Sequence, residues 1–513
     1  MFLANLPFRT AQLYGSSPSF ARPDGDPFTW VETLERIRRL AGALVEQRAR
    51  RIAVLAHNSV EYLELTFAAP IAGVTLVPMN TRLAPRELEQ LLDQAAPDMI
   101  FVDAAHLDQA RVVIAALRSR PVLVSWPGPG EIAYEALQSA RAIDPIAVDE
   151  GDDWAIIFTG GTTGLPKGVR VTRRGFAFNL QHILRDLDWG SQPRFLQTTP
   201  LFHLAALGPS YAVAAWGGVQ FGMPQFAIDA LIAMIERHRI EATALVPTMI
   251  GWLVAHPDVA TRDLSSLRAV GYGASAIPEP VLRRALDIFP GLKFNQFYGQ
   301  TEAGGGLATL VATDHVRGGT LLRAAGRPIV GVRLAIMDDD GKEVPRRAWG
   351  EICAQTPGLF AGYLGDLAAT ASALRNGWLR TGDVGYLDDD GYLFVTDRLK
   401  DMIVTGGENV SSSEVESAIA SHLAVRQVAV VAAPDAAWGE RVHAFIHLAP
   451  GTSATPAELA VHCRTTIAGY KCPRSFTFET EPLPLSAIGK IRKDVLRLRL
   501  VASVVSQEEP RAA

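Results

Sequence analysis

Only three cysteines, no long apolar run and little net charge set the first limits on this 513-residue chain. Cys353, Cys463 and Cys472 form no C-x-x-C pair and no Cys/His spacing of the kind that zinc requires. A sparse, odd count argues against a disulfide scaffold and points to a reducing, cytoplasmic setting. No stretch approaches the roughly 18 apolar residues of a membrane span. The opening residues, Met1 to Pro7, lack the basic segment and apolar run of a secretory leader. The formal net charge is −5, which indicates no general nucleic-acid footprint.

What is present is an ordinary globular composition, 48% hydrophobic and 20% charged, on a chain too long for one core. Trp30–Arg48 carries apolar residues at helical spacing, and Arg51–Ala56 reads as a buried strand. Ser59–Ala72 and Pro85–Ala95 read as helices, and Val74–Pro78 and Met99–Asp103 as strands. Strands separated by helices of this length predict a largely parallel sheet. The pattern repeats, with a helix end and a strand expected over Arg239–Val246, a strand at Leu267–Tyr272 and a helix over Ile277–Phe289. Beyond about Arg317, short β-rich runs turn at Asp338–Gly341 and Asp388–Gly391 and predict a small β subdomain. After Asp401 a separate small α+β unit is expected, with Ser503–Ala513 as a frayed tail. The fold class is therefore α/β. A large N-terminal domain of two αβ subdomains and a β subdomain spans 1–399, and a small C-terminal domain spans 400–513.

The chemistry begins where the strand Trp154–Phe158 runs into Thr159-Gly-Gly-Thr-Thr-Gly-Leu-Pro-Lys-Gly168. Glycines let backbone amides approach an anion, hydroxyls add donors, and Lys167 adds charge for phosphate. It is not a Walker A loop, because Pro166 precedes the lysine and no Ser or Thr follows it. Asn295–Glu302 ends a strand with Phe297, Tyr298 and Gly299, so an aromatic face is available to a purine. Thr301 can bond phosphate, and Glu302 offers the carboxylate oxygen that Mg²⁺ favours. Asp383, in Leu379-Arg-Thr-Gly-Asp383, can accept hydrogen bonds from two ribose hydroxyls. Fourteen residues on stands Asp397-Arg-Leu-Lys-Asp-Met-Ile-Val-Thr-Gly-Gly-Glu-Asn-Val410.

These segments, in this order and over nearly the whole chain, resemble the adenylate-forming superfamily of acyl-CoA synthetases, luciferases and adenylation domains. The resemblance implies that Thr159, Gly160, Gly161, Thr162, Thr163, Gly164 and Lys167 grip the phosphates of ATP. It implies that Gly273 and Ala274, in Gly271–Pro278, line the adenine. Arg398 would contact the nucleotide, and Lys400 would be the hinge of a mobile C-terminal domain. Lys490, in Leu483-Pro-Leu-Ser-Ala-Ile-Gly-Lys490, would be the lysine that reaches the carboxylate and the α-phosphate. Ser486 departs from the commoner threonine but keeps a hydroxyl. Lys490, Thr163, Glu302 and His203 are the implied catalytic set, with Mg²⁺ on Thr163 and Glu302.

His203, in Pro200-Leu-Phe-His203, matches the family's position beside the acyl pocket. Ala205, Gly208, Tyr272, Gly273, Gly299, Gly304 and Gly305 are the further pocket candidates. Small residues give room, and no cation marks a second carboxylate, so an apolar aryl or medium-to-long fatty acid is expected. Coenzyme A is the expected acceptor, near Arg82, Gly406, Gly407, Trp438, Tyr470 and Arg474. Cys472 stands where related ligases carry a basic residue. The expected protein is an AMP-forming acid–CoA ligase, with a homodimer as the commonest soluble assembly. The other readings are a carrier-protein thiol as acceptor, a luciferase-like oxidation, and a degenerate nucleotide-binding homologue.

Overall fold

The computed structural model is described over residues 2–22, 25–128, 130–159, 166–405, 408–435, 438–486 and 489–508, with side chains described up to residue 500. Two large sheets carry the N-terminal part. A seven-stranded sheet runs, in spatial order, through Ile132–Ala133, Val122–Trp126, Met99–Asp103, Arg51–Leu55, Thr75–Pro78, Asp153–Thr159 and Lys167–Thr172. All of its pairings are parallel except the last. An eight-stranded sheet includes Val219–Gly222, Arg194–Gln197, Ala242–Leu245, Ala269–Gly273, Lys293–Gln300 and Gly305–Leu310, antiparallel only beyond Lys293–Gln300.

Helices between these sheets build the main core. In Val60–Ile71 every residue is buried. A helix apolar on nearly all sides can rest only inside a layered structure. Of its two buried charges, Glu61 pairs with Arg22 at 2.6 Å, and the deeper Glu64 is held by Arg36 (Oε1 to Nε, 2.5 Å) and by the hydroxyl of Tyr134, 2.6 Å away. Trp154 stacks on Phe176 at 3.6 Å, and Tyr211 meets both edge-on. This ties the strand before the glycine-rich loop to the helices Arg173–Asp186 and Leu204–Ala215.

A five-stranded sheet, Arg333–Met337, Gly350–Gln355, Trp378–Leu387, Leu374–Arg375 and Leu393–Arg398, forms the small β unit. Leu393–Arg398 ends this sheet, and Ile403–Thr405 opens the C-terminal one, so Lys400 lies in the connection between them. The C-terminal sheet adds Glu408–Val410, Gly439–Leu448, Val425–Asp435 and Ser475–Glu479. The helices Ser412–Ala420 and Pro456–Arg464 pack beside it, and residues of both share its apolar cluster.

The expected elements occur close to their sequence positions, with two differences. Phe2–Tyr14 is a helix that patterning did not suggest, because Pro7 sits inside it. The last helix runs from Lys493 to Glu508, so the segment from Ser503 to Glu508 is helical rather than a tail.

Candidate functional site

The glycine-rich loop is approached from both ends. Thr159 closes one strand and Lys167 opens the next, and the two are register partners. Gly160, Gly161, Thr162, Thr163 and Gly164 lie outside the described residues, as do Gly406 and Gly407. The Lys167 ammonium sits 5.0 Å from the centre of the Tyr363 ring, a cation–π contact. The same Tyr363 donates its hydroxyl to Glu302 at 3.0 Å. Tyr363 thus joins the phosphate-loop lysine to the candidate metal carboxylate, a role the sequence reading missed. Nothing in its local sequence marks it, since the contact arises from tertiary packing.

Glu302 and Thr301 stand on the short turn after the strand Lys293–Gln300, both half-buried. Tyr363 occupies one Glu302 oxygen, and among the described residues no hydrogen bond is made to the other. An available carboxylate oxygen of this kind is the donor type that suits Mg²⁺.

Asp383 is buried and heavily engaged. Its Oδ2 accepts from the Tyr298 hydroxyl at 2.8 Å and from Gln300 Nε2 at 3.2 Å. Its Oδ1 faces Arg398 Nε at 3.4 Å, across the strand pair in which Asp383 and Arg398 are register partners. Burial first, and then the Asp383 charge, push the Tyr298 phenol well above its usual range, so it stays a donor. Gln300 was not singled out from sequence; it also donates to the Thr381 carbonyl at 2.7 Å, squaring the turn that presents Asp383.

Lys490 is carried on a hairpin of the C-terminal part that docks on the N-terminal part. Ser486 Oγ accepts from the Lys490 amide at 3.1 Å, and the Ser486 amide donates to the Lys490 carbonyl at 2.6 Å. The Ser486 hydroxyl and amide therefore tie Ser486 to Lys490. Gly489 has φ +78°, a region that favours glycine, and a Cβ there would lie 3.1 Å from Val246. Its carbonyl accepts from Thr248 Oγ1 at 2.6 Å. Arg82, one of the expected CoA contacts, donates here to the Ser486 carbonyl at 3.2 Å.

This docking buries the Lys490 ammonium. Desolvation first, then repulsion from Arg398 and Lys400, push it down to about 8 against the pull of Asp383. Burial likewise lowers Lys400, helped by Arg398. His203 caps the helix Leu204–Ala215 without a side-chain bond, and its Nε2 is buried with no partner among the described residues. Desolvation, with the Lys490 and Arg82 charges, pushes His203 down to about 3, so its ring is neutral. Arg82 also faces His57, which forms with Asp103 and His106 a chain of hydrogen bonds ending on Gln225.

The other pocket candidates divide. Gly273 and Gly299 press against backbone: a Cβ at Gly273 would lie 2.4 Å from the Phe297 oxygen, and one at Gly299 1.9 Å from the Gly305 oxygen. Ala274, next to Gly273, is held at φ +69°, strained for a residue with a Cβ. Gly304 and Gly305 face Asn179, and Ala205 is exposed. Tyr272 turns away from them. It is buried in another apolar cluster, with its hydroxyl on Gln296 (3.0 Å) and His315 (2.9 Å), because alternate strand residues point to opposite faces. On the C-terminal sheet, the Arg474 guanidinium covers the exposed Trp438 ring at 4.3 Å, and Tyr470 is exposed. Cys472 is buried, as are Cys353 and Cys463.

A carboxylate held by a tyrosine and an arginine, a second carboxylate suited to a metal and a buried lysine delivered by a docked hairpin together define a nucleotide-dependent acid-activating enzyme. The chain belongs to the AMP-binding enzyme family, whose description it matches over residues 7–364, with the family's C-terminal domain over 414–490. It is 35% identical to a feruloyl-CoA synthase from Amycolatopsis over 501 residues, 97% of this chain and 99% of that one. It is 34% identical to a fatty acid–[acyl-carrier-protein] ligase from Streptomyces coeruleorubidus, covering 93% and 92% of the two chains. Among solved structures, o-succinylbenzoate CoA synthetase from Bacillus subtilis, in complex with its acyl-adenylate intermediate, superposes with a TM-score of 0.83. That pair is 28% identical, covering 97% of this chain and 98% of the other. No helix among the described residues is long and apolar enough to cross a membrane.

Proposed function

We propose that the protein is an AMP-forming acid–CoA ligase acting on an apolar carboxylic acid. The observation that carries this reading is the nearness of Lys490 to Asp383, Arg398 and the neutral His203, each of which feels its charge or acts on it. In the first step a carboxylate oxygen attacks the α-phosphorus of ATP, the bond to the bridging oxygen breaks, and pyrophosphate leaves. Lys490 and Thr163 stabilise the charge on the α-phosphate, while Asp383 and Arg398 hold the ribose and nucleotide. Glu302, with Thr163, would hold Mg²⁺, which neutralises phosphate charge. Thr301, Lys167 and the loop Thr159–Gly164 grip the phosphates; Gly273, Ala274, Phe297, Tyr298 and Gly299 take the adenine side.

In the second step a thiol sulfur attacks the acyl carbonyl, the bond to the AMP oxygen breaks and the thiol proton goes to solvent. No covalent enzyme intermediate is required, which agrees with three buried cysteines whose thiols burial pushes upward. For this step the C-terminal domain turns about Lys400, withdrawing Lys490 and bringing Gly406 and Gly407 to the thiol. Trp438, Tyr470 and Arg474 then present an aromatic and cationic surface suited to the nucleotide end of CoA. Arg82, freed from Ser486, meets a CoA phosphate. The reading places the enzyme in the cytoplasm and takes a homodimer as the assembly to test by sedimentation.

Pyrophosphate release over an acid panel, with and without CoA, tests the proposal. Acid-dependent release and CoA-dependent thioester are expected. Thioester formed only on a carrier-protein thiol, the acceptor named for the Streptomyces relative, would overturn the CoA assignment alone.

A further inference from the structure

Against the helix that His203 caps lies an apolar cluster of which the ATP chemistry uses only Phe297, at its margin. Trp189 is its largest member. It is 5% exposed, stacked on Phe195 with ring centres 5.3 Å apart, and packed with Ile183, Val213 and Phe297. Val213 belongs to the helix that His203 caps, whereas Ala242 and Ala269 belong to the eight-stranded sheet. The cluster thus fills the layer between that helix and the inner face of the sheet.

The strand gives its depth. Gly271 stands two residues before Gly273, about 7 Å down the strand and on the same face. A Cβ on Gly271 would meet Trp189 Cζ2 at 3.0 Å and Phe297 at 3.5 Å. Below Gly273, this wall therefore closes on the indole.

The closing surface has one polar feature. Trp189 Nε1 is buried with no hydrogen-bond partner among the described residues. Nε1 lies two bonds from Cζ2, on the edge of the indole that faces Gly271. A buried N–H left unpaired costs stability, and a ligand acceptor restores the missing bond.

Resting on the reading of the protein as an acid-activating ligase, we propose that Trp189 is the floor of the acyl pocket. The floor limits the acid to about one aromatic ring beyond the carboxyl-bearing segment. Its indole N–H donates to an oxygen at the far end of that ring, so the substrate class is aryl acids with a distal hydroxyl or ether oxygen. Saturated long-chain fatty acids are excluded by length.

The test is acid-dependent exchange of pyrophosphate into ATP with cinnamate, 4-hydroxycinnamate and palmitate, on wild type, Trp189→Phe and Trp189→Ala. Wild type is expected to favour 4-hydroxycinnamate over cinnamate by about tenfold in kcat/KM, the worth of one hydrogen bond in a dry site. It is expected to refuse palmitate. Trp189→Phe brings the ratio of the two aryl acids close to one, and Trp189→Ala shifts use toward palmitate. A wild-type ratio near one, palmitate used as well as cinnamate, or an unchanged ratio in Trp189→Phe overturns the proposal. The wild-type ratio and its refusal of palmitate decide the matter even if the variants do not fold. If no carboxylic acid of a broad panel supports exchange, the ligase reading itself fails.

Discussion

Thr248 donates its hydroxyl to the carbonyl of Gly489 at 2.6 Å, across 241 positions of sequence. With the Arg82 bond to Ser486, it fixes the hairpin that puts Lys490 beside the nucleotide residues. Thr248→Val keeps the shape and removes the bond. Loss of one such bond, worth about 1 kcal/mol, lowers the adenylation rate about fivefold. Thioester formation from supplied acyl-AMP stays near wild type, because that step does not use the docked hairpin. Comparing the two half-reactions checks this, and an equal loss in both would contradict it.

Lys490→Ala removes the charge itself. Loss of a group that stabilises developing charge costs on the order of 10²–10³ in rate. Acyl-AMP formation therefore falls by at least that factor, while thioester formation from supplied acyl-AMP is largely spared. A mutant that adenylates at near wild-type rate would show that Lys490 has another role.

The depressed Lys490 ammonium gives a pH signature. Burial lowers it to about 8, and catalysis needs the charged form. The charged fraction is full well below 8 and is lost as pH rises through that value, more than two units earlier than for an ordinary lysine. The kcat/KM for ATP in the adenylation half-reaction, which reports the free enzyme, is expected to fall above pH 8. In Thr248→Val, where the hairpin is less firmly buried, the fall moves to higher pH.

Glu302→Gln keeps the hydrogen bond from Tyr363 and removes the charge. The Mg²⁺ concentration for half-maximal adenylation then rises by tenfold or more, since the metal loses an anionic oxygen. Tyr363→Phe leaves the carboxylate in place and changes that requirement by less than about threefold. A magnesium titration of both variants distinguishes a ligand from its support.

Away from the site, Arg36→Met strands the buried Glu64 carboxylate, which desolvation already pushes upward against the pull of Arg36. Breaking a buried pair by removing one partner costs about 3–5 kcal/mol. The melting temperature should drop accordingly. Because the raised Glu64 is then easier to protonate, the loss is smaller at pH 5 than at pH 8.

Much of this was legible in the sequence, for identifiable reasons. Asp383, Arg398 and Lys490 stand in ordered motifs whose spacing carries through to a common site. The helices and strands around Met99–Asp103 and Pro85–Ala95 followed from periodicity. Tyr363, Gln300 and Trp189 were not legible, because each acts through a partner far away in sequence. Tyr272 was assigned to the pocket on motif position alone, and strand alternation turns its ring to the other face. The N-terminal helix escaped because Pro7 reads as a breaker; it sits in the second turn and gives up the bond its amide would make to Leu3.

Lys493 has a further consequence. Its ammonium is clasped by Glu416 at 2.7 Å and by Ser412 Oγ at 2.6 Å, and the Ser412 amide is in turn held by Asp397 at 2.5 Å. Three residues from Lys490, this clamp welds the end of the chain to the start of the helix Ser412–Ala420. In the proposed rotation about Lys400, Lys490 would therefore move with the helix Ser412–Ala420, as one end of a lever. Turnover would then respond to solvent viscosity even where the chemical steps do not.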